Sequence, residues 1–477
     1  MKKVFLNQIC HYMLYFFIML SSLQHPSAQG FTNVGTENSN VIYEHLWSAQ
    51  GYGYIIHFVD KKPFVYDVTS DFCVLNHTVM RELNELNFAK DINLIAPNVA
   101  LLDWGAANRL ILRRTNTLPE RCTSTSKSQR SSAPFDAQYL FSVYTQTYSE
   151  LYAFADMVNL KQKIEFWSNK VSEATTEEEL VEIIGSFITS VDDGHAALWD
   201  EKGNVLAFND TKFNTLRQRL VQAQIKNTEY AHSDYWRYKL YLQDRSESIT
   251  EGYFAKQTST IQRYDNFLFA HLPNNLRYFK ISEMSEFSES QTLTSDLNAV
   301  DEILNLILPS MRESNGIVID LRSNPGGYDL VSLKILSYFI DKKLVVASKQ
   351  AKYLAGFTPL RTVTVAPANA LPFLGPIIVL TNQFTTSAAE IFVLGLKARG
   401  NVSFYGTRTD GAYSDSLIKQ LSNGWYFSLS NEVYWDTQGV QYEMIGHPVS
   451  KYFEYLNIKD IEQGIDKALE EAIADLK

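Results

Sequence analysis

Gly316-Ile-Val-Ile-Asp-Leu-Arg-Ser-Asn-Pro-Gly-Gly327 decides how this chain is read. Its first half, to Leu321, is a short β-branched apolar run, the pattern of a buried strand. Its second half ends on two glycines, which let the backbone turn sharply and approach a ligand with N–H groups exposed. Upstream, Leu297, Val300, Leu304, Ile307 and Met311 recur on one helical face and lead into that strand. A second buried run, Pro376-Ile-Ile-Val-Leu-Thr381, leads into a helix expected to begin near Ser387. Strand–helix alternation of this kind predicts a partly parallel sheet with crossover helices, beginning near Leu276. An amphipathic stretch from Lys459 to Leu476 predicts one closing helix.

Residues 276–477 are expected to form an α/β core. Residues 201–275 are polar and partly helical in pattern, with only Gly203 and Gly252 as glycines. Before them, 136–200 reads as a small helical bundle. Thr175-Thr-Glu-Glu-Glu-Leu180 carries a capping-box pattern, followed by Leu180, Ile183, Ile184, Phe187, Ile188 and Val191 at helical spacing. That helix runs straight into Val191-Asp-Asp-Gly-His195. Residues 116–135 are dense in Ser, Thr, Arg and Pro and read as a linker. Residues 30–115 hold short strand-like runs, such as Gly51 to Val59 and Phe64 to Thr69, and predict a small β-rich domain.

The first 28 residues read as a secretory signal. A basic start at Lys2 and Lys3 precedes an apolar run from His11 to Leu20, with small residues before Ala28. The run is short of the ~20 residues a span needs, so no transmembrane segment is expected after cleavage. Export would leave Cys73 and Cys122 as the mature cysteines, available for one disulfide or as two buried thiols. Their number and spacing do not suit a zinc site.

At 477 residues and 45% hydrophobic, the chain has material for several packed domains. Asp plus Glu at 53 against Lys plus Arg at 43 gives a net charge of -10, which argues against nucleic acid as a partner. The sequence calls for no cofactor and no metal, and it leaves an oligomer open.

Four groups could carry chemistry. The turn through Gly327 is either an anion cradle or an ordinary strand-to-helix turn, and it lacks the Lys-Ser/Thr ending of a nucleotide loop. Ser387, in Thr385-Thr-Ser-Ala-Ala-Glu390, sits where a helix N-terminus favours developing negative charge, with the N–H of Ala388 beside it. The bland alternative is that Ser387 or Thr386 caps the helix. His195 is a candidate base for a serine. Glu443, in Tyr442-Glu-Met-Ile-Gly446, could orient a base or be a solvated carboxylate following a hairpin through Trp425 to Trp435.

In this order the blocks resemble the tail-specific or carboxy-terminal processing serine peptidases, in particular the branch containing the tricorn protease core. The resemblance rests on Val191-Asp-Asp-Gly-His-Ala-Ala-Leu198, on Ile317 to Gly327, on Val379 to Glu390, on Tyr405-Gly-Thr-Arg-Thr-Asp-Gly411 and on Tyr442 to Gly446. It implies a crotonase-like α/β peptidase core with an N-terminal helical bundle, to which this chain adds the small β-rich domain. It implies Ser387 as nucleophile, Gly327 and Ala388 as oxyanion donors, His195 as general base and Glu443 as the carboxylate behind it. The activity implied is serine endopeptidase acting on unfolded or extended polypeptides; the expected signal segment makes the protein secreted or periplasmic.

The chain departs from the family in three places. Position 412 is Ala where the Ser–Lys branch has its lysine. Gly194 stands where tricorn has a serine, so Asp192 or Asp193 is an alternative partner for the imidazole. Finally, the interval after His195 lacks the carboxylate-binding loop of a PDZ module, so a preference for protein C-termini is not implied. The competing class is a ligand or lipid carrier, because interphotoreceptor retinoid-binding protein resembles the same fold.

Overall fold

The computed structural model describes residues 42–85, 92–122, 135–209, 214–254, 261–264, 266–290 and 292–477. The expected signal segment lies outside them, as do residues 123–134 of the expected linker. Among the described residues no helix is long and apolar enough to cross a membrane. The chain divides into two compact units. The first takes residues up to 209 together with 349–361 and 414–434; the second takes 210–348, 362–413 and 435–477.

The second unit is built on a seven-stranded sheet. Its strands, in spatial order, are Ile261–Arg263, Phe267–Leu272, Leu276–Ile281, Gly316–Asp320, Ile377–Thr381, Val402–Gly406 and Lys451–Tyr452. The first two pairings are antiparallel, and every pairing from Leu276–Ile281 onward is parallel. Both Gly316–Asp320 and Ile377–Thr381 are buried along their whole length, as strands covered on both faces must be. The Leu293–Arg312 helix buries Val300, Leu304, Ile307 and Met311, four of the five positions read as its apolar face.

Two boundaries differ from the sequence expectation. The sheet begins at Ile261 rather than near Leu276, because Asn274 and Asn275, both left-handed, close a hairpin that adds the preceding strands. The closing helix is broken: Ile458–Gln463 ends on Gly464 at φ +71°, and Lys467–Asp475 starts afresh with Asp466 as its cap.

The first unit contains the antiparallel β-rich sheet, in the order Cys73–Leu75, Lys62–Val68, Tyr54–Val59, Leu46–Ala49, Leu110–Thr115, Val99–Leu102, Ile92–Ala96. It also holds the helices Ala137–Leu151, Leu160–Ser168 and Glu177–Val191. Thr176 and Glu179 close the capping box, and Leu180, Ile184, Phe187, Ile188 and Val191 are buried. A four-stranded sheet joins Ser416–Gln420, Tyr426–Ser430, Ala197–Trp199 and Val205–Phe208.

The 414–434 and 349–361 segments, expected within the 276–477 core, therefore pack in the first unit. Buried charges pin them there. Lys419 Nζ bonds Asp67 at 3.0 Å and the Tyr52 carbonyl at 2.6 Å, and Lys349 Nζ bonds Asp415 at 2.9 Å and Glu432 at 2.8 Å. Tyr426–Ser430 pairs back on Ser416–Gln420, so the hairpin turn lies before Trp425; Glu432–Asp436 is a separate strand after Asn431.

Cys73 and Cys122 are buried and joined, with Cα atoms 5.1 Å apart. On the chain-entropy account, a loop of this length makes the bond worth about 4 kcal/mol. A Cys73→Ser, Cys122→Ser double variant should lose stability on that scale in a urea melt. Without reductant, peptide mass mapping of the wild type should find neither Cys73 nor Cys122 alkylated. Two alkylatable thiols in protein from an oxidising compartment would contradict the bridge.

Candidate active site

The parallel strands of the second unit deliver two turns from adjacent carboxyl ends, where open α/β sheets place their sites. One follows Asp320 and the other follows Thr381. Two buried asparagines brace them. Asn324 accepts from the Gly326 N–H at 2.9 Å, donates to the Ile281 carbonyl at 2.9 Å, and receives the Thr386 N–H on its own carbonyl at 3.0 Å. Asn382 accepts from the N–H groups of Ser323 and Phe384, both at 3.0 Å. The Thr385 hydroxyl donates across to the Leu321 carbonyl at 2.8 Å. Each turn is thus hydrogen-bonded to the other.

Ser387 stands at the first turn of the Ala388–Arg399 helix with φ 56° and ψ -125°. A non-glycine residue there costs roughly 1–3 kcal/mol and persists only where its surroundings over-determine it. The surroundings do so. Its N–H donates to Glu390 Oε2 at 3.2 Å, and its carbonyl takes the Glu390 N–H at 2.7 Å. The Thr386 hydroxyl is directed to Asp410 at 3.3 Å. Ser387 itself stays partly accessible, while Ala388, Ala389 and Glu390 are buried.

The glycine turn lies directly against this serine. A Cβ on Gly326 (φ +102°) would fall 2.7 Å from Ser387 Cβ and 3.0 Å from the Ala388 nitrogen. Gly327 (φ +138°) bridges Met284: the Met284 N–H donates to the Gly326 carbonyl and the Tyr328 N–H to the Met284 carbonyl. In a parallel bridge the central residue's own N–H points away from its partner, so that of Gly327 faces away from Met284.

Glu390 is fully buried and gathers three N–H groups, from Gly411 at 2.7 Å, Ala412 at 2.8 Å and Ser387. Burial first, and then the Asp410 carboxylate, push its carboxyl up to about 8, while the N–H groups of Gly411 and Ala412 pull the other way. Next along the same segment, the Tyr413 N–H donates to Glu443 Oε2 at 2.8 Å, and Glu443 is 4% exposed. Glu443 is therefore a buried, anchored carboxylate rather than a solvated one. The second unit thus brings together Ser387, Ala388 and Gly327, with Glu443 one hydrogen-bonded segment away.

His195 belongs to the first unit, on the loop between the Glu177–Val191 helix and the Ala197–Trp199 strand. Its backbone is pinned at both ends: the N–H donates to Asp193 Oδ1 at 2.9 Å, and the carbonyl accepts from the Ser428 hydroxyl. Asp193 is committed to that framework. Its carboxylate also takes the Ser430 N–H at 2.9 Å and hydroxyl at 2.6 Å. Asp192, left-handed at the helix end, accepts from Asn209 Nδ2 at 2.9 Å. Both aspartates, the sequence's alternatives to Glu443, thus take part in shaping the loop.

Sequence reasoning passed over Asn324, Asn382 and Glu390. The signal was present as Asn-Pro-Gly-Gly and Thr-Asn-Gln-Phe-Thr, where an Asn side chain can accept from N–H groups one or two residues on.

Residues 275–447 match the model of Peptidase family S41, and the chain is similar to carboxy-terminal processing proteases. Over 252 residues the chain is 25% identical to the carboxyl-terminal-processing peptidase 3, chloroplastic, of Arabidopsis thaliana, covering 52% of this chain and 41% of that one. It is 28% identical over 169 residues to the tricorn protease of Thermoplasma volcanium, covering 34% of this chain and 15% of that one. This chain thus spans less than half the length of either relative. Among solved structures, a putative peptidase from Parabacteroides merdae overlays with a TM-score of 0.55 at 22% identity, covering 72% of this chain and 97% of that one. That overlay establishes a shared mixed α/β fold.

Proposed function

We propose that this chain is an exported serine endopeptidase acting on unfolded or extended polypeptides, with a tricorn-like relay on a crotonase-like core. Ser387 Oγ attacks the substrate carbonyl carbon while His195 takes its proton, and Glu443 steadies the resulting imidazolium. The N–H groups of Gly327 and Ala388 receive the oxyanion, each worth roughly 3–4 kcal/mol in such a site. Collapse of the tetrahedral intermediate breaks the C–N bond, and the imidazolium gives its proton to the departing amine. Water, deprotonated by the same imidazole, then hydrolyses the acyl-enzyme.

The observation that carries this reading is the conformation of Ser387. Strain of this kind at a partly exposed serine, with the Gly326-Gly327 turn against it, is the geometry of an activated nucleophile. A carrier on the same fold would have no use for it. The test is digestion of casein by purified mature protein beside Ser387→Ala. Fragments should accumulate with the wild type alone; intact casein in both, or fragments in both, would count against the proposal.

A further inference from the structure

The Tyr235–Glu251 helix of the second unit carries a buried polar stripe that stability alone does not require. Lys239, Gln243 and Thr250 recur at i, i+4 and i+11, so they share one face. They are 3%, 6% and 5% exposed. Buried polar groups cost free energy unless partnered. Each of the three has a partner in the two turns described above or in a residue bound to them, besides contacts within its own helix to Ser246 and Trp236.

Lys239 Nζ lies 4.3 Å from the centre of the Phe384 ring, three residues before Ser387. Burial lowers this ammonium to about 8, and the ring face helps hold what charge remains. Gln243 Nε2 donates to the Tyr455 hydroxyl at 3.1 Å, and that hydroxyl lies 2.8 Å from Ser323 Oγ. Ser323 is left-handed at φ 64°, in the turn leading to Gly327. Thr250 Oγ1 donates to Asp466 Oδ2 at 2.7 Å; Asp466 holds Arg322 at 2.9 Å, and Arg322 holds Asp320 at 2.6 Å. Tyr455 also meets Phe384 edge-on at 5.8 Å, joining the two sets of contacts.

Beside this stripe lies a cavity of about 210 Å3, bordered by Gln243, Thr250, Tyr278 and Arg322. Tyr238 and Leu242 pack the helix on a core cluster, but along the cavity side it is joined to the turns through polar contacts.

We propose that the Tyr235–Glu251 helix is a positioning element for the reaction: through Lys239, Gln243 and Thr250 it sets the turns that carry Ser387, Ala388 and Gly327. This rests on the serine peptidase reading of those residues. The stripe reaches the turns through Phe384, Tyr455 and Asp466, so its members are positioning residues rather than catalytic ones.

The test uses the full mature protein with Gln243→Leu, Lys239→Met, Thr250→Val and the conservative Thr250→Ser. Amide hydrogen exchange is followed in peptides covering 320–328 and 382–388, with the 402–406 strand as internal control. Gln243→Leu and Lys239→Met should speed exchange in both turns but not in the control. They should also lower kcat roughly 10–100-fold at unchanged KM, the size expected for a misplaced catalytic group. Thr250→Ser should behave as wild type and Thr250→Val should not. Unchanged exchange in both turns, or a loss of activity that only tracks the melting temperature, overturns the proposal. A wild type inert toward a fluorophosphonate, with exchange still responding in both turns, would instead remove the peptidase reading while leaving the brace itself in place.

Discussion

His195→Ala is expected to lower turnover on a peptide substrate by roughly three to four orders of magnitude, leaving KM and the melting temperature close to wild type. The expectation of an intact fold comes from how the residue is held. Its N–H and carbonyl do the structural work, through Asp193 and Ser428, and alanine keeps both. The imidazole is then lost only as a base. In the wild type, turnover should rise with pH through one ionisation as the ring becomes neutral, and that limb should vanish in the variant. Glu443→Gln should cost less, since it keeps the shape and removes only the charge. Near-normal turnover by His195→Ala on a pH–rate profile would show that another base serves Ser387.

Gly326→Ala is expected to be nearly as damaging by a different route. Its added methyl would sit 2.7 Å from Ser387 Cβ and 2.9 Å from the Thr386 carbonyl, both rigid neighbours, at a φ of +102°. Something must move, and what moves is the serine or the turn leading to the Gly327 N–H. Losing one oxyanion donor costs roughly 10²–10³ in kcat. The left-handed φ adds a stability loss of about 1 kcal/mol or more. Gly400→Ala is the control: φ is +77°, yet nothing lies within 4 Å of the added carbon. It should lose some stability and keep its kcat. Equal kcat values for the two variants and the wild type, measured well below their melting temperatures, would contradict the close approach of the glycine turn to Ser387.

Local signals in the sequence carried well where the physics is local. The runs at Gly316–Asp320 and Ile377–Thr381 are apolar because both faces are covered, and Thr176 with Glu179 closes a cap within four residues. Features set by distant partners were not legible. Nothing in 414–434 says that Lys419 will seek Asp67, 352 positions away, and so carry its strand into the first unit. The break at Gly464 was legible in principle, since a glycine inside a helical pattern is a candidate C-cap, but the apolar period on either side masked it.

The candidates Ser387, His195 and Glu443 could be picked out in the sequence from their settings. The role of Glu390 could not, because its buried carboxyl acts on Gly411 and Ala412, which come near only in the folded sheet. The same holds for the Lys239–Gln243–Thr250 stripe, which in sequence is an unremarked polar face.

Covalent labelling shows whether Ser387 is an activated nucleophile without knowledge of the natural substrate. Mature protein is incubated with a fluorophosphonate probe, and the modified peptide is located by mass spectrometry, beside Ser387→Ala. Stoichiometric labelling is expected at Ser387 in the wild type and none in the variant. Labelling that survives Ser387→Ala, or a wild type that stays unmodified under conditions that label a known serine peptidase, would contradict it.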